Sequence, residues 1–121
     1  METPLVYVVT ATFPDPSLID DYITWLTSGH LQDVVILGKA LSAVITRCDP
    51  DPMPPGSPPK PAHRVETRYV FPSRAFFTAY ETGVAPRLRV AGAKIWGERG
   101  VQFQRWSGTL AGEFTAPAHH G

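Results

Sequence analysis

His30 is the residue with the most chemistry open to it. It falls four positions after Leu26 and seven after Ile23, so on an unbroken helix its imidazole shares an apolar stripe. An imidazole between a helix and its packing partner serves as a general base or a metal ligand, because its ordinary pKa lies near neutrality. Asp33, three residues on, is placed to orient the ring. The competing reading is a core histidine, hydrogen-bonded to backbone or to Asp33, that only secures a weak point in the helix.

A second set of polar groups shares that side of the chain. Tyr7 and Tyr69 sit on strand-like segments, Arg47 and Arg105 lie near strand ends, and Tyr80 falls on a helical stripe. Phenol and guanidinium donors suit an enolate, phenolate or carboxylate, since they donate where negative charge collects. The bland alternative is that each tyrosine buries its ring and wets its hydroxyl, while each arginine extends to the rim. The expected site has His30, Tyr69 and Arg105 as catalytic groups, with Tyr7, Asp33, Arg47 and Tyr80 holding the ligand.

Other chemistries find less support. His30, His63, His119 and His120 show no paired spacing on one element except in the tail, so no metal is expected. No cofactor is expected either, and nothing marks a haem site. Ser-His-acid catalysis lacks a GxSxG elbow, and Gly97 and Gly100 lack the spacing of a phosphate loop. Cys48 has no histidine close in sequence and reads as inert. Trp25, Trp96 and Trp106 read as packing or interface residues, and Arg87 and Arg89 as a solvated helix face.

The elements that must position these groups follow from periodicity. Leu5 to Phe13, Ala40 to Cys48, His63 to Phe71 and Val101 to Leu110 are rich in β-branched and aromatic residues, or alternate, as strands do. Ser17 precedes Asp20 by three residues, a variant capping box, and Leu18, Ile19, Tyr22, Ile23 and Leu26 follow at helical spacing. Ser28-Gly29 weakens that helix, and a second stretch from Leu31 to Leu37 ends at Gly38, read as its C′ residue. Ser73 caps a helix carrying Phe76, Phe77 and Tyr80; Gly83 and Pro86 break it, with Pro86 in the first turn of a continuation through Leu88, Ala91 and Ile95. Between Asp49 and Pro61, seven of thirteen residues are proline, which predicts an extended or disordered loop across residues 49–62. That run resembles a proline-rich recognition peptide too, with a solvated hairpin excursion as the plainer reading. Residues 114–121 read as a loose tail, after a single domain over residues 1–113.

The order β-α-β-β-α-β predicts an α+β fold of ferredoxin-like type: a four-stranded antiparallel sheet with its helices on one face. The helix-facing set is Leu5, Tyr7, Val9 and Ala11; Leu41, Ala43 and Ile45; Val65, Tyr69 and Phe71; and Val101 and Phe103. The other face is mixed, with Trp106 and four valines (Val6, Val8, Val44 and Val70) among Thr, Gln and Arg. Four strands of about seven residues present on the order of 400 Å², near the largest apolar patch a monomer leaves in water. A homodimer through this sheet face is therefore expected.

Bulk composition narrows the partners. The 121 residues suit one domain, and 43% apolar content supports a core. Eleven basic and eleven acidic residues cancel, so nothing in the charge points to nucleic acid or to an anionic membrane. No stretch approaches the roughly 20 apolar residues of a membrane span, and the N-terminus enters a strand pattern with no leader-like run. With one cysteine, a reducing, cytoplasmic setting is expected.

Three stretches, Trp25 to Gly38 (WLTSGHLQDVVILG), Tyr80 to Arg89 (YETGVAPRLR) and Gly97 to Trp106 (GERGVQFQRW), carry a resemblance to the bacterial domain-of-unknown-function family 4286, within the dimeric α/β-barrel group of ferredoxin-like proteins. The first stretch is the most specific and the third the loosest. The resemblance spans roughly residues 5–110 apart from the proline-rich loop, which departs from the family pattern. It implies a fold and a dimer, and no particular reaction, because the wider group hosts many chemistries. Three functions stay open: a cofactor-independent monooxygenase, cyclase or isomerase acting on a small metabolite; a non-catalytic sensory dimer; and a protein-interaction module using the proline-rich loop and the Trp106 face.

Overall fold

The computed structural model describes residues 2–48, 54–57 and 63–118. Four strands form one sheet: β1 (Leu5–Thr12), β2 (Ser42–Cys48), β3 (Arg64–Phe71) and β4 (Gln102–Thr109). Their order is β2-β3-β1-β4, and each neighbouring pair is antiparallel. The two central strands therefore carry the most β-branched and aromatic sequence, where both ladders are filled. The helical segments are α1 (Ile19–Trp25), α2 (Arg74–Thr82) and α3 (Ala85–Trp96). All of this agrees with the expected element order, to within one or two residues at strand ends.

The register aligns the side chains in rows. On the helix side, Ala43, Tyr69, Tyr7 and Ser107 form one row; Ile45, Thr67, Val9 and Arg105 form the next; Arg47, Val65, Ala11 and Phe103 form the third. Leu5, Tyr7, Tyr69 and Phe71 pack with Val34, Tyr80 and Leu88 in one core cluster. Ala11, Val65 and Val101 pack with Tyr22, Leu26 and Trp96 in a second. The middle row, with the small Thr67 and Val9 at its centre, runs between the two clusters. Leu41 departs from the expected core: its amide pairs with Val70 O at 2.7 Å, yet its side chain is 62% exposed. It leads into an edge strand whose side chains are at best half-buried.

Local signals act partly as expected. Ser73 caps α2, its hydroxyl accepting from Phe76 N at 3.3 Å, and Pro86 sits in the first turn of α3. The first helical segment is capped by Asp15 rather than Ser17: the Asp15 carboxylate accepts from Ser17 N at 2.8 Å and starts a short 3-10 turn, Pro16–Leu18. Beyond α1 the chain continues in wide π-type turns, Leu26–His30 and Asp33–Leu37, with Gly29 out of helical geometry inside the first of them. Gly38 is not the left-handed closing residue; Lys39 takes the positive φ of 63°. Gly38 is required for a different reason, since a Cβ there would lie 2.7 Å from Tyr80 Cδ1 and 2.5 Å from Val34 O.

On the outer sheet face Val8 is fully buried, between its cross-strand neighbours Trp106 and Arg68, while Trp106 and Val44 are half exposed. Of the proline-rich loop, residues 54–57 form an exposed turn in which the Ser57 hydroxyl donates to Pro54 O; the expectations for its other residues, and for the His119-His120 pair, lie outside the described residues. Residues 111–118 have no regular structure and are exposed. No helix among the described residues is long and apolar enough to cross a membrane.

Candidate functional site

The seam between the two core clusters holds a cavity of about 40 Å³. Its floor is the small middle row, Thr67 and Val9 from the central strands. Its walls include all four tyrosines of the chain, Tyr7, Tyr22, Tyr69 and Tyr80. Trp25, Leu26 and His30 close it from the α1 side, and Leu88, Arg89 and Gly92 from α3. The cavity forms because Thr67 and Val9 fill less space than the rings packed on either side of them.

Tyr7, Arg89 and Arg105 also line a second, open depression of about 390 Å³, together with Phe77, Glu81 and Trp106. The inner cavity compares with about 10–15 Å³ for one water, so it admits a head group and not a whole ligand. The outer depression falls in the range of about 300–1,000 Å³ typical of organic ligands. The two share Tyr7, Arg89 and Arg105 and are read together as one site: a narrow inner end lined mainly by rings and aliphatic groups, and a wide outer end where Glu81, Arg89 and Arg105 stand beside Tyr7, Phe77 and Trp106.

His30 reaches the cavity because the π-type turn and the Gly29 break re-aim the chain after α1. Its ring stacks on Trp25, centroids 4.3 Å apart and planes 23° from parallel. Trp25 is seated in turn against the α3 backbone, where a Cβ on Gly92 would lie 3.3 Å from Trp25 Cη2. Burial pushes the His30 imidazole below its ordinary range; Asp33 opposes this and Arg105 adds to it. The ring is therefore neutral near pH 7 and free to accept a proton.

Burial raises the hydroxyls of Tyr22, Tyr69 and Tyr80 well above the ordinary tyrosine range, so they act as neutral donors. The Thr67 hydroxyl works against this at Tyr22, although the two fall short of a hydrogen bond and Thr67 Oγ1 is left without a partner. Arg89 donates from Nη2 to the Tyr7 hydroxyl at 3.3 Å and pairs with Glu81. Burial works against its charge, but these two partners more than offset that and hold it above the ordinary arginine range. Arg105 lies over the Phe103 ring at 5.5 Å and makes no ion pair among the described residues.

Of the expected site residues, the structure brings together His30, Tyr69, Arg105, Tyr7 and Tyr80. Asp33 stands outside the lining and reaches His30 only through its charge. Arg47 does not join them: it sits on the edge strand β2 and pairs with Asp20 in the open, the two side chains 52% and 81% exposed. Arg89, Glu81, Trp25 and Tyr22 were not among the expected site residues. For Arg89 a signal existed, since it shares the buried stripe of α3 with Ala85, Gly92 and Trp96, and a charge on such a stripe needs a partner. Among the described residues no three His, Cys, Asp or Glu side chains gather as a metal would require.

No family model matches the chain, and no curated protein matches it in sequence. The solved structures decide the architecture. A protein described as a dimeric ferredoxin-like protein from an uncultured marine organism superposes with a TM-score of 0.67 at 12% identity, covering 96% of this chain and 95% of its own. The fold is ferredoxin-like. A second protein of that description and source gives a TM-score of 0.57 at 15% identity, over 93% of this chain and all of its own. HapK from Hahella chejuensis gives 0.62 at 14% identity, over 94% and 99%. At such identities the ferredoxin-like fold is what is shared, and function must be argued from the site.

Proposed function

We propose that this protein binds a small, flat, oxygen-bearing organic molecule between its helices and sheet, and that His30 takes a proton from it. One observation carries the reading: four tyrosine rings, a neutral imidazole and two guanidinium groups converge on a narrow cavity that shares Tyr7, Arg89 and Arg105 with a wide open depression. The head group would enter the cavity, with its oxygen facing the hydroxyls of Tyr69 and Tyr80. The body would lie outside, beside Phe77. Arg105 and Arg89 would stabilise negative charge as it develops on that oxygen. Such a step needs no cofactor and belongs to an isomerase- or cyclase-type tailoring enzyme. Asp33 is left with a positioning role, and Arg47 with none.

The three stretches that resemble the domain-of-unknown-function family 4286 meet at this site: Trp25 and His30 from the first, Tyr80 and Arg89 from the second, Phe103 and Arg105 from the third. We read the chain as a bacterial, cytoplasmic relative of that family, with residues 1–113 as one domain. It works as a homodimer through the outer sheet face, a reading supported by the exposure of Val44 and Trp106 and by the dimers reported for its structural relatives.

The test is proton exchange. 2-Tetralone in D2O, followed by NMR, should lose its α-protons faster with the protein than without it, and His30→Gln should abolish the acceleration while keeping the fold. A folded His30→Gln protein with full exchange would remove His30 from the mechanism. Saturable binding of 2-tetralone with no exchange in either protein would favour the sensory alternative.

A further inference from the structure

Glu81 and Arg89 face the same outer depression from opposite sides of the break between α2 and α3. They are eight residues apart across that break, so helix geometry does not force them together. Their side chains are only 29% and 34% exposed. Glu81 reaches Nη2 of Arg89, which also donates to Tyr7, whereas Arg89 Nε is buried with no hydrogen-bond partner among the described residues. Nε and Nη2 form one edge of the guanidinium, the edge that grips a carboxylate through two parallel bonds. Glu81 uses half of it.

We propose that Glu81 holds the place of a carboxylate on the ligand, so that the site selects monoanions by exchanging one anion for another at Arg89. This deepens the binding reading above and rests on it. Glu81 already occupies Nη2 on that edge, so a ligand anion that takes both nitrogens enters by exchange rather than by addition. Glu81 lies at the rim, where its carboxylate regains water on release. A ligand that engages both Nε and Nη2 completes the contact that Glu81 leaves half made. The charges agree: two guanidinium groups, Arg89 and Arg105, face one carboxylate in the depression, and His30 contributes none near neutrality. Glu81, once released from Arg89, stays at the rim of the depression, so a single negative charge on the ligand balances the remainder.

The experiment is titration calorimetry of the full chain with two isosteric probes, 2-naphthoate and 2-naphthamide. Wild type should prefer the acid by about fivefold, the upper scale of one partly screened charge contact. Glu81→Gln should bind the acid about fivefold more tightly again and change the amide much less, and Arg89→Gln should remove the preference. A folded Glu81→Gln protein that binds the acid no better overturns the exchange and makes Glu81 a clamp between α2 and α3. Equal affinity of wild type for acid and amide overturns it as well, needs no variant to fold, and leaves the binding reading standing. If neither probe binds wild type or Glu81→Gln, the exchange and the binding reading fall together.

Discussion

The His30 imidazole lies almost flat on the Trp25 indole, 4.3 Å between centroids. The stack fixes the ring at the cavity wall and removes it from water on one side. Trp25 is held by the bare α3 backbone at Gly92, so the position of the imidazole depends on a glycine sixty-odd residues away. Helix–helix contact thus reaches His30 through the Trp25 ring.

The first prediction concerns pH. Burial lowers the folded pKa of His30 below its ordinary value of 6.5, so the unfolded chain takes up a proton before the folded one does. Stability should be unaffected above about pH 6.5 and should fall as pH drops through the depressed value. Thermal unfolding of wild type and His30→Gln between pH 8 and pH 4.5 checks this. The variant should lose less stability than wild type over the acidic part, and parallel curves would show that His30 is not held neutral.

Two glycines should respond in opposite senses. Gly38→Ala places a methyl group 2.7 Å from the Tyr80 ring and 2.5 Å from Val34 O, so the ring or the turn must move. Overpacking of this kind costs about 1–3 kcal/mol. Gly97 has helical angles, φ −61° and ψ −38°, and open space where a Cβ would stand. Gly97→Ala should gain about 0.4–1 kcal/mol by restricting the unfolded chain. Urea denaturation of the two variants measures both signs.

Arg47 separates position on a face from membership of a site. Its pairing with Asp20 is open to solvent, so Arg47→Gln should change stability by no more than about 1 kcal/mol and leave probe binding alone. A large loss of 2-naphthoate affinity in Arg47→Gln would mean that the site extends to the edge strand.

The outer sheet face gives the assembly test. Val44 and Trp106 are 55% and 53% exposed on a surface where Val8 is already fully buried. Val44→Glu combined with Trp106→Glu puts like charges on both copies of a self-complementary interface. Light scattering after gel filtration should show wild type as a dimer and the double variant as a monomer. Two species of unchanged mass would move the interface elsewhere.

The sequence alone determined the architecture and one face of the site. Alternation at period two placed Tyr7, Tyr69 and Arg105 on the helix side, because that periodicity is a local property of the backbone; His30 was expected there on an unbroken helix and arrives instead through the π-type turn and the Gly29 break. Ser73 and Pro86 marked helix starts for equally local reasons. Tertiary structure decided what local patterns do not encode. Whether Arg47 or Arg89 would enter the site depended on which strand lay at the sheet edge and on how α3 packed, and the pairing of Arg89 with Glu81 arose across a helix break. The cavity itself exists because Thr67 and Val9, distant in sequence, became neighbours in one row between two aromatic clusters. A void is the space that several elements together leave unfilled, and no single element specifies it.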